Sequence, residues 1–149
     1  MKRSDELPVY ETEIQRIWAE QDFEKHGMQG LVGRSLEVYF PGWWNRGAGS
    51  DFELACVRMG YVLHFGSVEV HLQSSGWTAH RHHQNPEYNQ VILHAVLYHQ
   101  SGLSVCTESS TEVSEFELAP RLKTLEPETR KRSKKRLRRI DRFPGHCGV

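Results

Sequence analysis

Val91-Ile92-Leu93-His94-Ala95-Val96-Leu97-Tyr98 is a nearly unbroken apolar run, interrupted only by His94. Such a run suits a β-strand buried on both faces. A strand of that kind needs a covering layer on each side, which restricts the chain to sheet architectures with packed faces. The elements before it complete the pattern. Tyr10, Ile14, Ile17, Trp18 and Gln21 fall at helical spacing and predict a helix over about residues 10–24. Gly27, Gly30 and Gly33 then break the chain. Leu36–Phe40 reads as a short strand stopped by Pro41-Gly42, and residues 43–50 as a glycine-rich loop. Phe52–Met59 and Val62–Leu72 read as two strands joined by a turn at Gly60, and residues 74–90 as a short helix plus loop. Ser104–Thr107 and Phe116–Leu118 add candidate edge strands. The expectation is a mixed α/β sheet in the order αβββαβ.

Charge divides the chain. Residues 121–149 hold eleven Lys or Arg and three acids, a net of +8, while residues 1–120 carry eight basic and sixteen acidic residues, a net of −8. We therefore expect one α/β domain over 1–120 and a basic tail over 121–149. Cys56, Cys106 and Cys147 are odd in number and widely spaced, which fits a reducing, cytoplasmic setting and argues against a disulfide framework or a zinc ribbon. No apolar run approaches the roughly 20 residues of a membrane helix, and no apolar stretch follows Lys2-Arg3 to make a secretory signal.

The segment from Asp51 to His83 concentrates the chemistry. Side chains alternate across a strand, so Val68, Val70 and Leu72 share one face, and Glu69 and His71 the other, about 7 Å apart. Asp51 opens the neighbouring strand, and the turn at Gly60 brings it beside Glu69 and His71. His80-Arg81-His82-His83 follows closely, with an H-x-H spacing suited to metal ligation. We expect Asp51, Glu69, His80 and His82 to hold a divalent metal, Mg²⁺ or Mn²⁺, or Zn²⁺ where nitrogen dominates. Asp51, Glu69 and His71 are the catalytic candidates. Plainer readings stand beside this one: Glu69 and His71 as a solvated strand face, Asp51 as a turn cap, and the histidine run as a surface or anion-binding loop. His94 reads as a satisfied core histidine, His64 and His99 carry no role, and Trp43, Trp44 and Trp77 read as packing.

These residues carry a resemblance. Ile17-Trp18, Pro41-Gly42-Trp43-Trp44-Asn45, Gly49-Ser50-Asp51-Phe52, Gly66-Ser67-Val68-Glu69-Val70-His71, Trp77 with His80-Arg81-His82-His83, and Tyr88-Asn89-Gln90-Val91-Ile92-Leu93-His94-Ala95-Val96 resemble, in order, the bacterial domain of unknown function 2851 family. That family has no assigned activity. Its members are usually longer, so a short or truncated member is expected. The layout is more distantly similar to the PD-(D/E)XK nuclease superfamily, which implies a restriction-endonuclease-like core. By that resemblance Asp51 and Glu69 are metal-binding carboxylates, Val70 lends a backbone carbonyl, and His71 stands where a lysine is usual; Ser50 replaces the proline.

The expected function is thus a divalent-metal-dependent phosphodiesterase or nuclease, an uncertain enzyme until tested. Lys131, Lys134, Lys135, Arg138 and Arg139 would supply nucleic-acid contacts from a solvated tail. The alternative is a non-catalytic module on the same scaffold, binding nucleic acid or an acidic protein. A cupin-like barrel ranks last, because too few strands precede the cluster.

Overall fold

The computed structural model describes residues 10–122. The sequence predicts a helix over 10–24, and α1 spans Glu11–Glu20. It ends early because Gln21 turns into the left-handed region (φ 53°) and its N–H caps the carbonyls of Ile17 and Trp18. Glu11 and Glu13 lie in its first turn, where the helix dipole favours acids. Ile14, Ile17 and Trp18 are buried against the sheet, and the Trp18 indole N–H donates to the Pro41 carbonyl over 3.0 Å.

The strands are β1 (Leu36–Phe40), β2 (Trp43–Trp44), β3 (Phe52–Met59), β4 (Val62–Gln73), β5 (Val91–Tyr98) and β6 (Ser114–Glu117). The short helix α2 (Gly76–Ala79) and two 3-10 turns, His82–Gln84 and Pro86–Tyr88, fill the connection from β4 to β5. One element adds to the expected ones, since Trp43–Trp44 pairs with the start of β3; the edge strand expected at Phe116–Leu118 is present as β6, two residues earlier, and closes the far edge. Ser104–Thr107 forms no strand; Cys106 makes one isolated bridge to Glu112.

The sheet runs β1-β3-β4-β5-β6. β1, β3 and β4 are antiparallel, whereas β4–β5 and β5–β6 are parallel. Met59 pairs with Val62 across Gly60, whose φ of 61° meets the positive-φ demand of the two-residue hairpin. The parallel register fixes which residues stand side by side. Val70, Ala95 and Phe116 form one row, and Glu69, His94 and Glu115 another. The first row belongs to the α1-side core with Val68, Leu93 and Leu97. A second, smaller apolar cluster of Trp77, Tyr88, Val91, Val105 and Val113 comes largely from the connections after β4 and β5. Both faces of β5 are therefore covered, as its apolar run requires. Among the described residues, no helix is long and apolar enough to cross a membrane.

Candidate metal centre

The alternation in β4 separates two chemistries. Val68 and Val70 enter the α1-side core, while Glu69 and His71, 0% and 1% exposed, enter the layer beneath the 74–90 connection. Burial on both faces makes the polar row a deliberate expense, since an unpaired buried polar group costs about 1–3 kcal/mol. β3 begins beside that row. The Asp51 N–H donates to Glu69 Oε2 (3.1 Å), and the Val70 N–H donates to Asp51 Oδ2 (2.9 Å). Gln15 of α1 donates its Nε2 to Asp51 Oδ1 (3.0 Å).

The connection folds back over His71. Gly76 permits the close approach: a Cβ there would stand 2.6 Å from His71 Cγ. Arg81 takes a left-handed conformation (φ 57°) between α2 and the His82–Gln84 turn. The chain thereby brings both His80 and His82 to His71.

The ligand-type nitrogens of His71, His80 and His82 lie within 4.8 Å of one another. His71 Nε2 is 3.1 Å from His80 Nδ1. Glu69 Oε1 is 3.4 Å from His82 Nε2 and 4.0 Å from His71 Nε2. Ligands about 2.0–2.1 Å from a tetrahedral ion are about 3.3 Å apart, so modest closure would bring this set onto one cation. The pattern of unmet polar atoms fits the same species: Glu69 Oε1 and both ring nitrogens of His82 are buried without a hydrogen-bond partner.

Protonation favours ligation. Burial, then the neighbouring His94, His82 and His80, holds His71 well below the ordinary histidine range. Burial and His83 push His82 down to about 4, and burial and His82 lower His80. All three rings are therefore neutral near pH 7 and offer lone pairs. Burial raises Glu69 to about 8. Burial, then the Glu69 charge, raises Asp51 well above the usual carboxylate range, and burial and Asp51 raise Glu11 to about 7. Without a cation, this carboxyl cluster retains protons near neutrality.

The structure thus brings Glu69, His71, His80 and His82 together. Asp51 is adjacent: Gln15 and the Val70 N–H each donate to one of its oxygens, its own N–H donates to Glu69 Oε2, and the two carboxyl groups also meet side chain to side chain. Val70 contributes that N–H. His83 stays outside the three-histidine group. Trp77 is fully buried and Trp44 stacks on Phe52, whereas Trp43 is 67% exposed. Lys131, Lys134, Lys135, Arg138 and Arg139 lie outside the described residues.

Sequence reasoning missed three participants. Gln15 sat unused in the helical pattern. His94, read as a satisfied core histidine, is buried and places Nε2 2.6 Å from His71 Nδ1. Glu115 stands beside His94 on β6. The polar alternation Glu115-Phe116-Glu117 was the available signal for the last.

No curated protein and no solved structure matches this chain. A family model described as protein of unknown function (DUF2851) matches residues 11–141, which includes every residue of the histidine and carboxylate cluster and runs into the basic segment. The chain belongs to that family of unknown function.

Proposed function

We propose that this domain is a divalent-metal-dependent phosphodiesterase, nuclease-like in layout, whose ion is held by His71, His80, His82 and Glu69. The observation that carries the reading is the convergence of three neutral imidazoles, with the unpartnered Glu69 Oε1 within 4.0 Å of two of them, His71 and His82. Three nitrogens and one oxygen favour Zn²⁺ or a similar transition metal over Mg²⁺, which prefers oxygen ligands. An ion of this class would activate water and polarise a phosphoryl oxygen if its shell expanded to a fifth position or Glu69 yielded its place to water. His80 is the least buried of the three histidines. Asp51 positions Glu69 and shares its proton load.

The phosphodiester assignment draws support from the layout. α1 precedes an antiparallel β1/β3/β4 unit, and β5 returns parallel to β4. Asp51 directly precedes β3 and Glu69-Val70-His71 lies on β4, an arrangement similar to that of a restriction-endonuclease-like core, with His71 in place of its lysine. His71 is neutral, so it acts as ligand or base and supplies no fixed positive charge. Lys131, Lys134, Lys135, Arg138 and Arg139 would add non-specific phosphate contacts.

The test is hydrolysis of a generic phosphodiester and of single- and double-stranded DNA after loading with Zn²⁺ or Mn²⁺. Turnover that vanishes in Glu69→Gln is expected. Tight metal binding without turnover on any of these substrates would instead select a closed structural metal site. The near-complete burial of Glu69, His71 and His82 favours that second reading.

A further inference from the structure

We infer that Glu115, acting through His94, sets the tautomer of His71 and thereby turns the His71 Nε2 lone pair toward the metal centre; the inference deepens the metal reading above and names a positioning residue for it. The register places the parts in line, because Glu69, His94 and Glu115 are direct neighbours on three parallel strands. His71 Nδ1 and His94 Nε2 face each other at 2.6 Å, so one of them carries a proton and the other accepts it.

Two arrangements satisfy that contact. In the first, His71 Nδ1–H donates to His94 Nε2. His94 then presents Nδ1–H on its far side, and His71 Nε2 is left with a lone pair among His80, His82 and Glu69. In the second, His94 Nε2–H donates to His71 Nδ1. His71 then presents Nε2–H to the site and cannot ligate through that atom.

The far side of His94 decides between them. Glu115 Oε2 is the acceptor that faces His94 Nδ1, 4.0 Å from a buried nitrogen that has no hydrogen-bond partner. The Ser74 hydroxyl donates to Glu115 Oε1, and Ser74 Oγ in turn accepts the Gln100 N–H over 2.9 Å. His99 Nδ1 lies 3.5 Å from the same oxygen. Burial alone would raise the Glu115 pKa, but His94, Ser74 and His99 hold it below the ordinary value. Glu115 is therefore an anion that accepts and cannot donate. An acceptor facing His94 Nδ1 selects Nδ1–H on His94, hence Nδ1–H on His71, hence a lone pair on His71 Nε2, which in the metal-free protein accepts from His80 Nδ1–H over 3.1 Å. Partners beyond the ligands orient metal-bound histidines in this way, and removing one commonly costs 10–100-fold in affinity.

The experiment is long-range ¹H–¹⁵N NMR of the histidine rings in the full chain, metal-free and zinc-loaded, with zinc affinity measured by chelator competition. Metal-free wild type is expected to show Nδ1–H on both His71 and His94. In Glu115→Gln the Ser74 hydroxyl would hold the amide oxygen at the Oε1 position and leave the amide NH₂ facing His94 Nδ1, so the variant should invert both tautomers and weaken zinc binding by about 10–100-fold. Glu115→Asp should restore the wild-type pattern. Glu117→Gln on the same strand, where Glu117 accepts the His99 N–H, should leave the His71 tautomer unchanged. Nδ1–H on His71 that persists in a folded Glu115→Gln protein, with zinc affinity within threefold of wild type, would overturn the inference. So would Nε2–H on His71 in metal-free wild type, a result that needs no variant. Absence of zinc binding in the wild type would remove the metal reading, while the metal-free tautomer still decides the role of Glu115.

Discussion

Over residues 67–71 of β4 and 93–97 of β5 the two faces of the sheet are equally buried and differ in their chemistry. On one, Val68, Val70, Leu93 and Ala95 meet α1 and are fully enclosed by apolar side chains. On the other, Glu69, His71 and His94 are just as enclosed, yet Glu69 Oε1 and His94 Nδ1 have no hydrogen-bond partner. The first face lowers the free energy of the fold, at about 1.5–3 kcal/mol per buried aliphatic side chain. The second raises it by leaving polar atoms unmet. Adjacent residues of the same strands thus serve opposite ends, which is the usual sign that the costly face holds chemistry.

Substitutions sharpen that contrast. Leu93→Ala should destabilise by about 2–5 kcal/mol, equally with and without added zinc, because it opens a cavity in the α1-side core. Chemical denaturation in both conditions checks this; a zinc-dependent loss would mean that the two faces are not separable. Gly76→Ala forces a Cβ against the His71 ring and should cost about 1–3 kcal/mol. It should also weaken zinc binding, since it lifts α2 away from His71. Loss of stability with unchanged zinc affinity would show that α2 does not set the histidine geometry.

Acidity probes the carboxyl and histidine cluster, in which Glu11, raised to about 7, acts in the same direction as Glu69. His82 falls from 6.5 to about 4 in the folded protein. Between those values the unfolded chain binds a proton that the folded protein refuses, so stability drops as pH falls. Glu69 rises from 4.5 to about 8. Between those values the folded protein keeps a proton that the unfolded chain has released, so stability drops as pH rises. Metal-free protein should therefore be most stable near about pH 5–6. A cation replaces the Glu69 proton, so zinc should flatten the alkaline decline. Thermal melts from pH 4 to 9 test this, and an alkaline decline identical with and without zinc would place Glu69 outside the centre. Glu69→Gln in metal-free protein at pH 6 is the smallest expected change, within about 1 kcal/mol, because an amide replaces an already neutral carboxyl.

Much of this arrangement was legible in the sequence where local rules govern. Alternation in Val68-Glu69-Val70-His71 sorted the faces correctly, and the apolar run 91–98 and the Gly60 turn fixed the strands around it. Boundaries set by single backbone conformations were not legible, as when left-handed Gln21 ends α1. Long-range register was hidden as well. Nothing in the spacing of His94 and Glu115 tells that parallel pairing sets them beside Glu69. The burial of Glu69 and His71 depends on a connection, 74–90, whose path is fixed by Gly76 and left-handed Arg81 rather than by periodicity.

X-ray absorption on the zinc-loaded full chain tests the central claim most directly. The account predicts one tightly bound zinc with three imidazole nitrogens at about 2.0–2.1 Å and one carboxylate oxygen, with one imidazole lost in His82→Ala. No stoichiometric zinc, or a zinc whose shell is unchanged in both His82→Ala and Glu69→Gln, would contradict it.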